Sequence, residues 1–334
     1  MIIALDAMGG DYAPEEPCHA AIYACTKKPK LNIALVGDRN KIEPFLEKVD
    51  SEVRSRLKIV HAEEVIDGAD SPSLSIRRKK NSSLVVAFEM VRAGEASGIV
   101  SAGNTGAIAA GGVLLLGRIP GIDRPGFGAV LPVLNRPTLL MDVGATVRCK
   151  PINLFQFAHM ASIYMKLFRG VENPSIRLLC NGEEITKGDD VISAARTLIE
   201  NSPLNFQGYA EGSDLPNGIA DIVICDGFSG NILIKFGEGL GELLKGQLKE
   251  EYTNHLLPKI GMFFMLPAMK RVLGRFDWEK AGGSPLLGVN GTVIKVHGRS
   301  KRKPIAHALL GAANFIAKNG VERIREEIAK ENLK

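Results

Sequence analysis

The sequence predicts an α/β protein built on one mainly parallel sheet with helices on both faces. Three observations carry this. Short apolar runs alternate with longer amphipathic stretches along the chain. Most of the runs end in glycine-rich polar loops. The 334 residues are 45% apolar and 24% charged, enough to bury a sizeable core. One large domain over residues 1–334 is expected, with RIPGIDR at Arg118–Arg124 as a crossing point between subdomains.

The strand candidates in order are Ile2–Asp6, Leu31–Gly37, Leu57–His61, Gly98–Ser101, Phe127–Val133, Thr138–Val143, Ser175–Cys180, Asp221–Cys225 and Thr292–His297. Helical stretches fall between most of them, such as Arg39–Val49, Ser83–Ala93 and Asn153–Arg169. The N-terminal MIIALDAMGGD has no basic leader and reads as a first strand, not a signal peptide. No apolar run reaches the roughly 18 residues of a spanning helix. The five cysteines, Cys18, Cys25, Cys149, Cys180 and Cys225, lack metal or redox spacing, so a reduced cytoplasmic protein without a metal is expected. A net charge of +5 and 6% aromatic residues argue against nucleic acid as a partner.

Glycine, at 36 residues, is about 11% of the chain against roughly 7% in an average protein. In parallel sheets ligands bind beyond the carboxyl ends of the strands, so the loops there matter most. They read Asp6-Ala-Met-Gly9-Gly10-Asp11, Ser101-Ala-Gly103-Asn104-Thr105-Gly106, Asp142-Val-Gly144-Ala145, Asn181-Gly-Glu-Glu184-Ile-Thr-Lys187-Gly188 and Asp226-Gly227-Phe-Ser229-Gly230-Asn231. Gly282-Gly283-Ser precedes the last strand and His297-Gly298 follows it. Glycines let backbone N–H groups approach a ligand, and a helix start adds free donors. Five such loops at one sheet edge would form a phosphate or oxyanion pocket; each alone also reads as a tight turn or cap.

Several motifs are missing. No G-x-G-x-x-G follows a strand, and Gln247 stands where a P-loop needs lysine after Gly241 and Gly246. No G-x-S-x-G elbow is present, because Asn231 follows Gly230. No histidine has an aspartate five residues on.

Two basic clusters, Arg77-Arg78-Lys79-Lys80 and Arg299-Lys301-Arg302-Lys303, flank polar loops and fit either a solvated face or an acidic partner. The segment His255–Phe276 carries four basic residues and no acidic one among apolar residues that include Phe263, Phe264 and Leu266. It fits core packing or contact with a membrane surface, and Pro267 argues against one straight helix.

From DAMGGD to VIKVHG the loops resemble the phosphate acyltransferases of bacterial phospholipid synthesis. The matching stretches are DAMGGD at Asp6–Asp11, RRKKNSS at Arg77–Ser83, SAGNTGA at Ser101–Ala107, GRIPGIDRP at Gly117–Pro125, DVGA at Asp142–Ala145, DGFSGN at Asp226–Asn231 and GVNGTVIKVHG at Gly288–Gly298. Gly182-Glu183-Glu184 replaces the Gly-Thr-Glu usual in that family.

The resemblance implies a three-layer α/β/α sandwich like that of phosphotransacetylases and isocitrate-type dehydrogenases. It implies a homodimer that makes acyl-phosphate from acyl carrier protein thioesters and inorganic phosphate. The product feeds a membrane glycerol-3-phosphate acyltransferase. Phosphate attacks the thioester directly, and no cofactor is needed.

Lys187, Asn104, Asn231 and Asp226 are then the expected catalytic residues. Substrate-binding residues are Asp6, Gly9, Gly10, Ser101, Gly103, Thr105, Gly106, Asp142, Gly144, Glu184, Gly227, Ser229, Gly230, Gly283 and His297. Arg77, Arg78, Lys79, Lys80, Arg299, Lys301 and Arg302 are expected to meet the carrier. Phe263, Phe264 and Leu266 are expected to meet an anionic membrane surface, giving a cytoplasmic, peripherally membrane-associated enzyme. A nicotinamide-dependent dehydrogenase of related fold and a non-catalytic membrane scaffold are the alternatives.

Overall fold

The structure is a computed structural model; it describes residues 1–131, 133–134, 136–254, 256–275 and 282–330. Among the described residues, eleven strands form one sheet: β1 (Ile2–Asp6), β2 (Asn32–Gly37), β3 (Leu57–His61), β4 (Gly98–Ser101), β5 (Gly126–Leu131), β6 (Thr138–Met141), β7 (Ile176–Leu179), β8 (Phe206–Ala210), β9 (Ile222–Ile224), β10 (Ser284–Leu287) and β11 (Thr292–Lys295). The helices are α1 (Glu15–Lys27), α2 (Arg39–Ile42), α3 (Ser51–Arg54), α4 (Pro72–Arg78), α5 (Ser83–Arg92), α6 (Thr105–Gly111), α7 (Pro151–Arg169), α8 (Asp190–Glu200), α9 (Gly227–Asn254), α10 (Leu256–Arg275), α11 (Arg302–Ala317) and α12 (Gly320–Lys330).

The strand order is β3-β2-β1-β4-β11-β10-β5-β6-β9-β7-β8. Two parallel blocks, β3-β2-β1-β4-β11 and β6-β9-β7-β8, are joined through β10 and β5, which pair antiparallel. Alternation along each strand sends side chains to opposite faces. One face carries a single apolar layer running across both blocks, from Ala4 and Ile99 to Leu140 and Val223, under α4, α5 and α6. The other face is divided. α1 and α11 cover Ile3, Leu5 and Ile33, whereas α7, α8 and α12 cover Leu139, Ile176 and Ile222. This is an α/β/α sandwich.

Three expectations change. The sheet is mainly parallel as expected but antiparallel at its centre, where the unanticipated β10 pairs with β11 and β5, and β5 with β6; β8, also unanticipated, adds in parallel at the edge. β8 carries Gly208 at φ +83°, and β10 carries Pro285, both atypical of strands. The helix expected over Arg39–Val49 is one turn followed by a 3-10 turn at Glu43–Phe45, where Pro44 lacks the N–H that would continue it. Conversely, α10 runs through Pro267 as one helix. Proline costs about 3 kcal/mol inside a helix, and the Leu, Met, Ala, Lys and Arg around it favour helix. His255 and Phe276, which bound that expected segment, and Pro132 of the fifth expected strand lie outside the described residues.

Candidate functional site

Strand direction decides how the polar loops are distributed. The three antiparallel pairings at the centre make the β6-β9-β7-β8 block run opposite to the β1-β4-β11 block. The loops after β1, β4 and β11 therefore lie at one sheet edge, and those after β6, β7 and β9 at the other. The expected set of five loops at a single edge is thus two sets.

The first cluster is built around Asp6, at the end of β1 and buried. Its Oδ1 accepts from Ser83 Oγ at 2.6 Å and its Oδ2 from Ser101 Oγ at 2.7 Å. Met8 N–H also donates, at 3.3 Å. Burial raises the Asp6 pKa despite these bonds. Ser101 Oγ in turn accepts from Gly103 N–H at 3.0 Å. A Cβ on Gly9 would stand 2.5 Å from Asp6 Oδ2, and Gly10, at φ +98°, would meet Gly298 O at 3.0 Å. The loops after β1, β4 and β11 are thus closely packed, with glycine where backbones meet.

Asn104 is placed differently from expectation. Its Oδ1 caps α6 through Ala107 N–H at 3.0 Å, and its Nδ2 donates to Asp67 O and Gly68 O, each at 3.2 Å. It clasps the loop before α4 to the start of α6. Thr105 and Gly106 form that helix's first turn, against which Pro72 leans. On the same edge His297 Nε2 lies 3.3 Å from Glu238 Oε2 of α9. Gly283, at φ +80°, sits at the start of β10 against Lys295 O and Ala308, supporting the sheet.

The second cluster is built around Asp142, beyond β6. Its oxygens accept from the N–H groups of Phe127 at 2.8 Å, Gly144 at 3.0 Å, Ala145 at 3.0 Å and Thr146 at 2.6 Å. Burial nevertheless raises its pKa to about 6. Asp142 shapes its loop from beneath. Asp226 accepts from Phe228 and Ser229 N–H, both at 2.9 Å, and from Ser229 Oγ at 2.8 Å, fixing the start of α9. Gly227 and Gly230 let that helix approach: a Cβ on Gly227 would lie 2.6 Å from Asp142 Oδ2. Asn231 lies beside Gly144. Beyond β7, the exposed Lys187 and Glu184 pack over Gly182.

Both clusters face the same side of the sheet. Asp6, Ser101 and Asp142 each stand two residues beyond a member of the shared apolar layer: Ala4, Ile99 and Leu140. α9 joins them, starting at the second cluster and reaching His297 with Glu238, about 16 Å along its axis. Between the ends, its Leu233 and Ile234 pack on that layer.

The basic residues gather at the first edge but differ in freedom. Arg77, Arg78 and Lys80 are exposed at the end of α4. Lys79 donates to Asp70 Oδ2 at 2.6 Å and Val65 O at 2.9 Å, so it is a structural tie. Arg299 pairs with Glu242 at 3.8 Å, Arg302 with Glu16 at 3.4 Å, and Lys301 lies over the Tyr12 ring. Phe263, Phe264 and Leu266 of α10 are exposed, the two phenylalanines by 71% and 76%. Among the described residues, no group of three His, Cys, Asp or Glu side chains is placed to hold a metal, and no helix is long and apolar enough to cross a membrane.

Sequence reasoning missed Ser83, Glu238 and Lys295. Ser83 follows a basic run and reads as a helix start. Glu238 reaches the site only through the path of α9. Lys295 could have been found: it is a lone charge in the apolar strand Thr292–Lys295, on the period-two face of Val293.

The fold defines a class: three-layer α/β/α proteins of the phosphotransacetylase type. A phosphotransacetylase from Streptococcus pyogenes superposes over 96% of this chain and 94% of its own, with a TM-score of 0.63 at 17% identity. Residues 1–323 match the family model described as "Fatty acid synthesis protein", and the chain belongs to that family. Proteins called phosphate acyltransferase are similar throughout. The one from Heliobacterium modesticaldum is 46% identical over 98% of both chains. That from Pelotomaculum thermopropionicum is 46% identical over 100% of this chain and 97% of its own. The chain is an acyltransferase.

Proposed function

We propose that this enzyme transfers a fatty acyl group from an acyl carrier protein thioester to inorganic phosphate. The products are acyl-phosphate and the free carrier thiol, and the acyl-phosphate supplies phospholipid synthesis. Direct attack by phosphate is the reading that the thiols favour. Cys149 is the half-buried thiol beside the second cluster, and burial with the Asp142 and Asp226 charges pushes its pKa to about 12. Cys225 is driven well above the ordinary thiol value by the same causes. Neither is a ready nucleophile. Ser83 and Ser101 are buried with their hydroxyls committed to Asp6.

Phosphate is itself an anionic nucleophile near neutral pH, so the protein's task is positioning and charge stabilisation. Holding two reactants in line contributes roughly 7–11 kcal/mol. The reaction lies along the flank of α9 between the two clusters. Asn231 and Lys187 serve the thioester side, where the attacked carbonyl becomes an oxyanion and the thiolate leaves. The backbone of Asn104–Gly106 and of Gly10 serves the other side. Each oxyanion donor is worth about 2.7–4 kcal/mol. Asp6, Asp142, Asp226 and Asn104 act by holding these loops.

Arg77, Arg78, Lys80 and Arg299 lie at one edge, a placement that suits an acidic carrier. α9 presents Phe228, Ile232, Phe236, Leu240, Leu243 and Leu244 to solvent, which favours a homodimer. Phe263 and Phe264 favour reversible attachment to an anionic membrane, near the membrane acyltransferase that uses the product. We read residues 1–334 as one domain, with the passage at 118–124 joining its two blocks.

The test is phosphate-dependent release of carrier thiol, with the acyl-phosphate trapped by hydroxylamine. Thiol release that does not depend on phosphate overturns the reading. Nicotinamide reduction instead of thiol release would identify the dehydrogenase alternative.

A further inference from the structure

We propose that Lys295 is the cation that holds the phosphate substrate, at the first cluster. The inference rests on the acyl-transfer reading above. Lys295 is the last residue of β11 and the register partner of Ser101. Its side chain follows Val293 onto the face shared by Asp6 and Ser101. Above it lies α9, where Glu238 and Lys235 are its charged neighbours.

The charges there do not balance. Among the described residues Glu238 is the carboxylate acting on Lys295, and its Oε2 lies 3.3 Å from His297 Nε2. Among the described residues the Lys295 ammonium makes no ion pair or hydrogen bond. Lys235 adds a second positive charge to the group. Burial of Glu238 works to raise its pKa, but His297, Lys295 and Lys235 together bring it below its ordinary value. Burial lowers the pKa of Lys295, and Lys235 lowers it further against Glu238.

A half-buried ammonium without a direct partner is costly, and an anion arriving there recovers the cost. The neighbours favour a small phosphate ion. Ser101, whose Oγ holds the Gly103 N–H, fixes the loop after β4 within one strand of Lys295, so a small ion would sit between that loop and the ammonium. Phosphate at this end of α9 leaves the Asn231 end for the thioester, one to two helical turns away.

The experiment compares Lys295→Met and Lys295→Arg with the wild type. Substrate dependence of thiol release is measured, together with thermal unfolding with and without inorganic phosphate. Lys295→Met is expected to raise the KM for phosphate about tenfold or more, with the KM for the acyl carrier substrate unchanged. Lys295→Arg should recover part of that loss. Without phosphate the Met variant should melt no lower than wild type, because an unpaired charge has been removed, and it should lose the phosphate-induced rise in Tm.

An unchanged KM for phosphate overturns the inference while leaving the reaction intact. So does a rise confined to the carrier substrate. A lower Tm in the Met variant without phosphate also overturns it, because it shows that Lys295 supports the fold. Wild-type turnover that ignores phosphate defeats the underlying reading of the reaction instead.

Discussion

Gly230 offers the sharpest test of how the second cluster is held. It lies in the first turn of α9, where a Cβ would stand 2.0 Å from the backbone oxygen of Asp142 and 2.8 Å from Cys225 Sγ. Ordinary contact begins near 3.4 Å. In Gly230→Ala, α9 or the Asp142 loop must therefore retreat by more than an ångström. Neither can do so by turning a side chain. Overpacking typically costs about 1–3 kcal/mol, and this contact against backbone belongs at the upper end.

The retreat would also carry Asn231 away from Gly144. A displacement of that size at a reacting site costs on the order of 100-fold in rate. Gly239→Ala, in the same helix with nothing within 4 Å of its added Cβ, is the control. It should be neutral or stabilise by about 0.5–1 kcal/mol. The assay pairs urea unfolding with phosphate-dependent thiol release. Gly230→Ala with wild-type stability and turnover would refute the close-packing account.

Three further outcomes are expected. Burial raises the Asp142 carboxyl from 3.8 to about 6, so between those values the folded chain holds a proton that the unfolded chain has lost. Stability from this group falls as pH rises from about 4 to about 6, by on the order of 3 kcal/mol, and is then flat; urea midpoints across that range should slope less in Asp142→Asn, and equal slopes would contradict the assignment. Asn104→Ala should cost about 1 kcal/mol for the lost cap and more for the released Asp67–Gly68 loop, and should expose that loop to protease; resistance equal to wild type would show that the clasp is idle. Phe263→Ser with Phe264→Ser should abolish sedimentation with anionic vesicles while leaving turnover in solution unchanged; retained vesicle binding, or loss of fold, would remove these residues from membrane contact.

Much of the chemistry was legible in the sequence because it is local. A glycine-rich loop after an apolar run specifies a tight turn wherever it lies, and here the loops' own Asp and Ser side chains take up many of its N–H groups. DAMGGD, SAGNTG, DVGA and DGFSGN therefore announced themselves, and the strands that precede them were placed within a residue or two. Capping was equally local: Asn104 and Asp226 hold the helix starts next to them in the chain.

What the sequence could not decide was direction and company. The short hairpin of β5 and β6 and the unexpected β10 reverse the second block, and that reversal places the polar loops at two edges. It depends on strand pairings between residues up to about 160 positions apart, such as Leu286 with Phe127, which no local pattern encodes. Company is decided the same way. Lys79 looked like a free cation until Asp70 met it, and Asn104 looked like a free donor until the Asp67–Gly68 loop did. The sequence shows Lys295 as a lone charge at the end of an apolar strand, and only α9 brings Lys235 and Glu238 over it. Electrostatic and hydrogen-bond energies depend on distance and burial, and only the packed chain sets those.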